Sequence, residues 1–181
     1  MVRPPTPDDV GAMADVHVRS WRETYRGIMR DAVLDDPELL PRRERMWHAA
    51  LTDERYAANR IAVAELDGAL VGIAMSGPPE KDGSPWSRHL YVLYLLAEHH
   101  GSGAASRLLD AVIEPTASAS LWVADPNPRA QAFYTKHGFR ADGVVQVDDG
   151  VREIRMVRTP GDGASFVERL RSGSRLDEIA R

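Results

Sequence analysis

Apolar positions along this chain repeat with two different periods, and each change of period marks a new element. Val10, Met13, Val16, His17 and Trp21 recur three or four apart, which places them on one buried stripe of a helix. Just ahead of them, Thr6-Pro7-Asp8-Asp9 has the make-up of a helix start: a capping hydroxyl, proline in the first turn and two acids at the positive end of the dipole. Met46, Trp47 and Leu51 predict a second helix over 42–51. The spacing then shortens. Residues 61–66 and 69–75 read as two strands joined by Asp67-Gly68, a pair suited to a tight hairpin turn. Residues 77–87, rich in Pro and Gly, form a loop, and 90–96 is a continuous apolar run suited to a central strand. Helix 104–113, strand 120–124 and helix 127–137 follow, and 141–147 and 151–157 close the series as a hairpin through Asp148-Asp149-Gly150. A short edge strand is expected at 1–3. The sum is one α/β domain over 1–159 with no internal repeat. In the tail, 160–181, Phe166, Val167 and Leu170 are left either as a solvated end or as a short docking helix.

Two stretches carry chemistry. The first is His100-Gly101-Ser102-Gly103-Ala104-Ala105, between the apolar strand and the helix after it. A Gly-rich turn that opens a helix exposes unpaired backbone N–H groups, adds the positive end of the dipole, and removes side chains that would hold a ligand off the main chain. It suits an anion, most often phosphate. A dinucleotide-binding fold would place such a turn after the first strand, with an acid roughly 20 residues further on. Here at least two strands precede it, and Ala117-Ser118-Ala119-Ser120-Leu121-Trp122 offers no acid. The second stretch is Asn127 to Phe139. Asn127-Pro128 is a helix cap followed by proline at the first helical position, and Gly138 is a C-terminal stop. Tyr134, seven residues after Asn127, projects from the same side, about 10 Å along the axis.

Composition narrows the classes. The chain has 181 residues, 43% of them hydrophobic, enough for one domain with a sizeable core. No apolar run approaches the ~20 residues of a membrane span, and no signal peptide is evident, so a cytoplasmic protein is expected. Without cysteine there is no disulfide, thiolate metal site or cysteinyl acyl-enzyme. A net charge of −4 argues against nucleic acid as the main partner.

Taken together, the two stretches resemble the GNAT superfamily of acyl-CoA-dependent N-acetyltransferases. The family signature is Gln or Arg, two residues, Gly, one residue, then Gly or Ala. His100 to Ala105 matches it except at the first position, where His stands. The later family pattern, Asn and then Tyr within Phe-Tyr-x-x-x-Gly-Phe, is present as Asn127 and Phe133 to Phe139. The resemblance spans about 2–157. It implies the acyl-CoA N-acyltransferase fold: a mixed, mostly antiparallel sheet of six to seven strands flanked by about four helices. It also implies acetyl-CoA as cosubstrate with no metal, and a homodimer. Backbone groups of Leu93, Tyr94 and Leu95 would bond the pantetheine arm. His100 would lie beside a cradle formed by the N–H groups of Gly101, Ser102, Gly103, Ala104, Ala105 and Ser106, which would hold the pyrophosphate. Asn127 would bond the pantetheine amide, and Tyr134 would protonate the departing thiolate.

An alkylamine acceptor arrives protonated, since its pKa resembles that of lysine, ~10.4, so a base is needed. His89, at the start of the apolar strand, occupies a position where the family often places Glu or His, and alternation puts Tyr91 on its face. The other reading of His89 is a strand-end histidine with no part in the reaction. Trp21 and Tyr25, four apart on the first helix, either contact the acceptor or belong to the core. That helix is amphipathic through 18–28, but the resemblance makes it a roof over the acceptor rather than a membrane-surface helix. Glu98, His99 and His100 could be read as metal ligands, but adjacent histidines rarely converge on one ion. Ribosomal-protein N-terminal acetyltransferases typically carry Glu five residues before the capping Asn, where Trp122 stands here. The expected acceptor is therefore a small-molecule primary amine of the polyamine, amino-sugar or arylalkylamine class. Protein or peptide N-termini or lysines come second, and a non-catalytic acyl-CoA sensor or an NAD(P)-dependent oxidoreductase is the remaining alternative.

Overall fold

Seven strands form one sheet in the computed structural model, which describes residues 1–79 and 83–159. They are β1 (Val2–Arg3), β2 (Arg60–Leu66), β3 (Ala69–Gly77), β4 (Arg88–Leu95), β5 (Ala119–Ala124), β6 (Arg140–Asp148) and β7 (Val151–Arg158). Their order is β1-β2-β3-β4-β5-β7-β6, antiparallel throughout except for β4 beside β5. Both expected hairpin turns form. Asp67 and Gly68 have φ of 50° and 81°, and Asp149 and Gly150 have 45° and 82°, the paired positive values that a two-residue turn needs to match strand twist.

Five α-helices are present among the described residues: α1 (Val10–Tyr25), α2 (Asp31–Leu34), α3 (Leu39–Thr52), α4 (Ala104–Val112) and α5 (Pro128–Lys136). The second expected helix begins three residues early because Pro41 falls in its first turn, where a missing N–H costs nothing. The single turn α2 was not foreseen; four residues are too short to establish a period. None of these helices is long and apolar enough to cross a membrane.

The sheet separates two cores. On one face, α4 and α5 pack through Leu108, Leu109, Val112 and Tyr134 onto Leu90, Leu121 and Phe139. On the other, Met13 and Val16 of α1 and Trp47 of α3 cover Val63, Ile73 and Val92. Gly72 lets α4 come close: a Cβ there would lie 2.9 Å from a Leu108 methyl and 2.8 Å from one of Leu95. A third, smaller cluster of Met29, Leu34, Ala124 and Val151, flanked by Trp21 and Tyr25, sits at the end of α1. Residues 160–181, left open between a solvated and a docked tail, lie outside the described residues.

One irregularity creates the site. Met75 faces Val92 while Ser76 faces Leu90, so Tyr91 is an extra residue on β4. Such a bulge bends a strand and raises its twist. Beside it, β4 and β5 pair only from Arg88 to Leu90 against Ala119 to Leu121. Beyond that point the two strands part. This mostly antiparallel arrangement also differs from the parallel sheet that a dinucleotide-binding oxidoreductase would need.

Candidate active site

Where β4 and β5 separate, a cavity of about 560 Å³ opens through the sheet. Tyr25 and Ile28 line it on the α1 side, Gly101 and Arg129 on the α4–α5 side, with Leu93 and Val123 from the two strands. Having lost β5 as a neighbour, the edge of β4 past Leu90 presents main-chain polar groups to this space, as an unpaired strand edge does. An extended, amide-bearing chain could add along it as a further strand.

At one mouth lies the glycine turn. Gly101 and Gly103 have φ of 84° and 77°, values that only glycine adopts without strain. A Cβ on Gly101 would meet nothing within 4 Å, so the turn is concave and open. The first helical bond runs from Arg107 N–H to Gly103 O at 3.3 Å, and the Ser102 hydroxyl takes the Ala104 N–H at 3.3 Å. The N–H groups of Ala105 and Ser106 precede that first helical bond and face the turn, ready for an anion.

His100, the departure from the signature, has a definite task here. Its Nε2 lies 2.9 Å from the Leu95 carbonyl, so that nitrogen carries the proton, and Nδ1 accepts from the Arg129 guanidinium. The ring thus ties the turn to the end of β4 and brings a cation from the first turn of α5 to the anion-binding mouth. This pairing could not be read from spacing, since 29 residues separate the two side chains.

The α5 wall follows its expected local logic. Asn127 Oδ1 accepts from Ala130 N–H at 3.1 Å, capping the helix and leaving its amide nitrogen for a ligand. Gly138, with φ of 82°, ends the helix, and Phe139 N–H returns to the Tyr134 carbonyl at 3.0 Å. Tyr134 is fixed between the rings of Phe133 and Phe139, at 5.3 and 5.9 Å. Its hydroxyl has no hydrogen-bond partner among the described residues, and the side chain lines the cavity. Burial, and secondarily Tyr94, pushes its pKa up. At neutral pH Tyr134 is therefore a fully protonated phenol, able to give a proton and not to take one.

Across the cavity, Tyr94 proves to matter through its side chain as well as its backbone. Its hydroxyl accepts from Trp21 Nε1 at 2.8 Å and acts electrostatically on that of Tyr25. Burial raises the pKa of both tyrosines. Tyr25, Tyr91, Tyr94 and Trp122 all line the cavity, whereas Trp21 supports Tyr94 from behind. The Tyr91 hydroxyl donates to Pro78 O at 2.6 Å.

His89 does not stand on the cavity wall. It is buried at the closed end of the β4–β5 pair, with Nδ1 2.9 Å from Ser120 Oγ and its ring against that of Tyr91 at 4.8 Å. The expected contact with Tyr91 is present, and Tyr91 lines the cavity where His89 does not. Glu98 and His99 approach to 3.7 Å while His100 turns away to Leu95, and no group of three His, Asp or Glu among the described residues could hold a metal ion. Glu23 is a wall residue that sequence periodicity missed. Its carboxylate accepts from Ala97 N–H at 2.9 Å, a contact 74 residues away in sequence.

Known proteins are similar to this chain in sequence or in fold. A probable N-acetyltransferase of Mycobacterium tuberculosis is 27% identical over 150 residues, covering 78% of this chain and 80% of that one. An uncharacterized N-acetyltransferase of Mycobacterium bovis is 40% identical over 98 residues, 51% of this chain and 58% of its own length. In fold, the chain is similar to the PaiA N-acetyltransferase of Thermoplasma acidophilum, solved in complex with coenzyme A. The TM-score is 0.68 at 18% identity, over 88% of this chain and 98% of that one. The family model described as the acetyltransferase (GNAT) family matches residues 17–139. With more than half its length under that model, this chain belongs to the acetyltransferase (GNAT) family.

Proposed function

We propose that this protein transfers the acetyl group of acetyl-CoA directly to the primary amine of a small molecule. One observation carries the reading: a cavity passes through the sheet at the β4–β5 split, with a phosphate-type cradle at one mouth and, on its wall, a protonated tyrosine hydroxyl that has no partner among the described residues. The residues present fit coenzyme A. Open left-handed glycines, unpaired amides and the Arg129 cation suit a diphosphate, and the bare edge of β4 suits the amides of a pantetheine arm. That the related fold of Thermoplasma acidophilum was solved with coenzyme A supports the same assignment.

When bound, the thioester supplies the activated acetyl group. Main-chain groups of Leu93, Tyr94 and Leu95 orient the arm beside β4, and Asn127 holds it from the α5 side. The amine, having shed its proton, attacks the carbonyl carbon; a C–N bond forms and the C–S bond breaks. Tyr134 gives its phenolic proton to the departing sulfur and regains one from the proton that the amine released. General acid help of this kind contributes roughly 10²–10⁴ in rate. Trp122 closes the position from which ribosomal-protein enzymes present a carboxylate, which favours a small acceptor over a chain terminus.

The test is incubation with acetyl-CoA and a panel of small amines and short peptides, followed by thiol release and product mass. Acetylated small amines support the reading. Acetylation confined to peptide termini overturns the acceptor class, and no thiol release with any acceptor overturns the enzyme assignment.

A further inference from the structure

Among the described residues one carboxylate lines the cavity, that of Glu23. It stands on the α1 side with Thr24, Tyr25 and Ile28, whereas the wall groups able to carry positive charge, Arg129 and His100, lie with the glycine turn at the other mouth. A ligand that enters past α1 therefore meets one negative charge and no positive one. Oε2 of Glu23 accepts from Ala97 N–H at 2.9 Å, which fixes the side chain against the segment that leaves β4. Oε1 has no hydrogen bond among the described residues, and the nearby arginines are engaged elsewhere. Arg19 pairs with Asp15 and Glu98, Arg22 donates to Leu34 O, and Arg26 pairs with Asp31 and Asp35.

Glu23 thus combines two separable properties. Accepting one N–H needs only an oxygen, which a glutamine would supply as well. The charge is additional, and no cation among the described residues pairs with it. Around it, Tyr25, Tyr91, Tyr94 and Trp122 give the cavity aromatic walls. Aromatic faces attract a cation, whereas a carboxylate taken from water among them gains no compensating partner. Charge and walls favour the same visitor.

We infer that Glu23 determines acceptor specificity: it draws the acceptor's ammonium group to the α1-side mouth and turns away acceptors that carry a carboxylate beside the amine. The inference rests on the acetyltransferase reading and narrows its substrate class to cationic amines without an anionic group. An acceptor carboxylate about 6 Å from Glu23 would be disfavoured by roughly 3-fold at the dielectric of water and roughly 100-fold at an effective dielectric of ~20. Glu23 is exposed, so discrimination of about 10-fold is expected, and salt should shrink it.

The test uses the full chain, saturated with acetyl-CoA, and matched acceptors that differ only by a carboxylate: phenethylamine against phenylalanine, cadaverine against lysine, and agmatine against arginine. The expected result is a kcat/KM about 10-fold higher for the amine of each pair that reacts, with a ratio that falls as salt is added. Glu23→Gln keeps an oxygen for Ala97 N–H and removes only the charge. It should bring the amine-to-acid ratio down by about 10-fold, through the KM of the amine rather than kcat, and leave acetyl-CoA binding in calorimetry unchanged. Since the ratio is taken within one protein, partial unfolding of the variant does not mimic its loss, and the wild-type ratio and its salt dependence decide even if the variant fails to fold. Acids equal to or better than their amines in the wild type would overturn the inference, as would a ratio unmoved by Glu23→Gln. So would a variant that loses acetyl-CoA affinity and both acceptors alike, which would make Glu23 a structural cap. The two levels separate cleanly. A chain that acetylates the acids and not the amines loses this inference alone, and a chain that releases thiol with no acceptor loses the acetyltransferase reading as well.

Discussion

Replacing Tyr134 with phenylalanine removes one oxygen from the cavity wall and little else. The ring keeps its packing between Phe133 and Phe139, at 5.3 and 5.9 Å, and the lost hydroxyl leaves no partner unsatisfied among the described residues. Stability should therefore change by no more than about 1 kcal/mol, the scale of a single net hydrogen bond. The rate should change far more. A general acid contributes roughly 10²–10⁴-fold, or about 2.7–5.4 kcal/mol of barrier at 1.36 kcal/mol per decade. A thiolate resembling that of cysteine, with a pKa of ~8.5, leaves moderately well unaided, so the lower end is expected at pH 7. The pH dependence sharpens the test. Burial holds the Tyr134 pKa above the usual phenol value, so the wild-type acid stays protonated through the whole assay range. Above pH ~8.5 the thiolate needs less protonation and the gap between wild type and variant should narrow. The assay is single-turnover thiol release, which reports the chemical step even where product release limits kcat. An unchanged single-turnover rate at pH 7 would refute the role given to this hydroxyl.

Other consequences are equally direct. Arg129→Gln should weaken coenzyme A binding and flatten its salt dependence in calorimetry, because it removes the cation that His100 holds at the glycine turn. His89→Gln should leave the acidic limb of the pH–rate profile in place, since Tyr91 and not His89 lines the cavity; loss of that limb would make His89 the base. His17 is buried among Trp21, Trp47 and Tyr94, and burial depresses its pKa to about 3. Its folded pKa lies below its unfolded one, so its contribution is whole above pH ~6.5 and falls away as pH drops toward 3, at up to ~1.4 kcal/mol per pH unit. The melting temperature of His17→Phe should decline less steeply with acid than that of the wild type over this window. Parallel curves would contradict it.

Local chemistry was readable from the sequence; convergence in space was not. Asp67-Gly68 and Asp149-Gly150 specify their turns through backbone conformation alone, and Asn127, Pro128 and Gly138 fix both ends of α5. The glycine turn was visible for the same reason, because only glycine tolerates the φ at 101 and 103. Family resemblance then supplied the cavity wall at Tyr134. By contrast, the extra residue at Tyr91 that opens the sheet leaves no mark in an apolar run, where inward and outward positions look alike. The Arg129–His100 contact and the Tyr94 hydroxyl cluster depend on which elements meet across the sheet. His89 is the reverse case, a candidate base that does not line the cavity. Its sequence position suited a base, but strand alternation cannot tell a wall residue from one off the wall.

A crystal structure of the protein with coenzyme A bound would probe the whole account in one experiment. The account predicts the diphosphate on the N–H groups after Gly101, the pantetheine arm along β4 beyond Tyr91, and the sulfur within hydrogen-bond reach of the Tyr134 hydroxyl. A ligand lodged outside the β4–β5 split, or a sulfur remote from Tyr134, would contradict it.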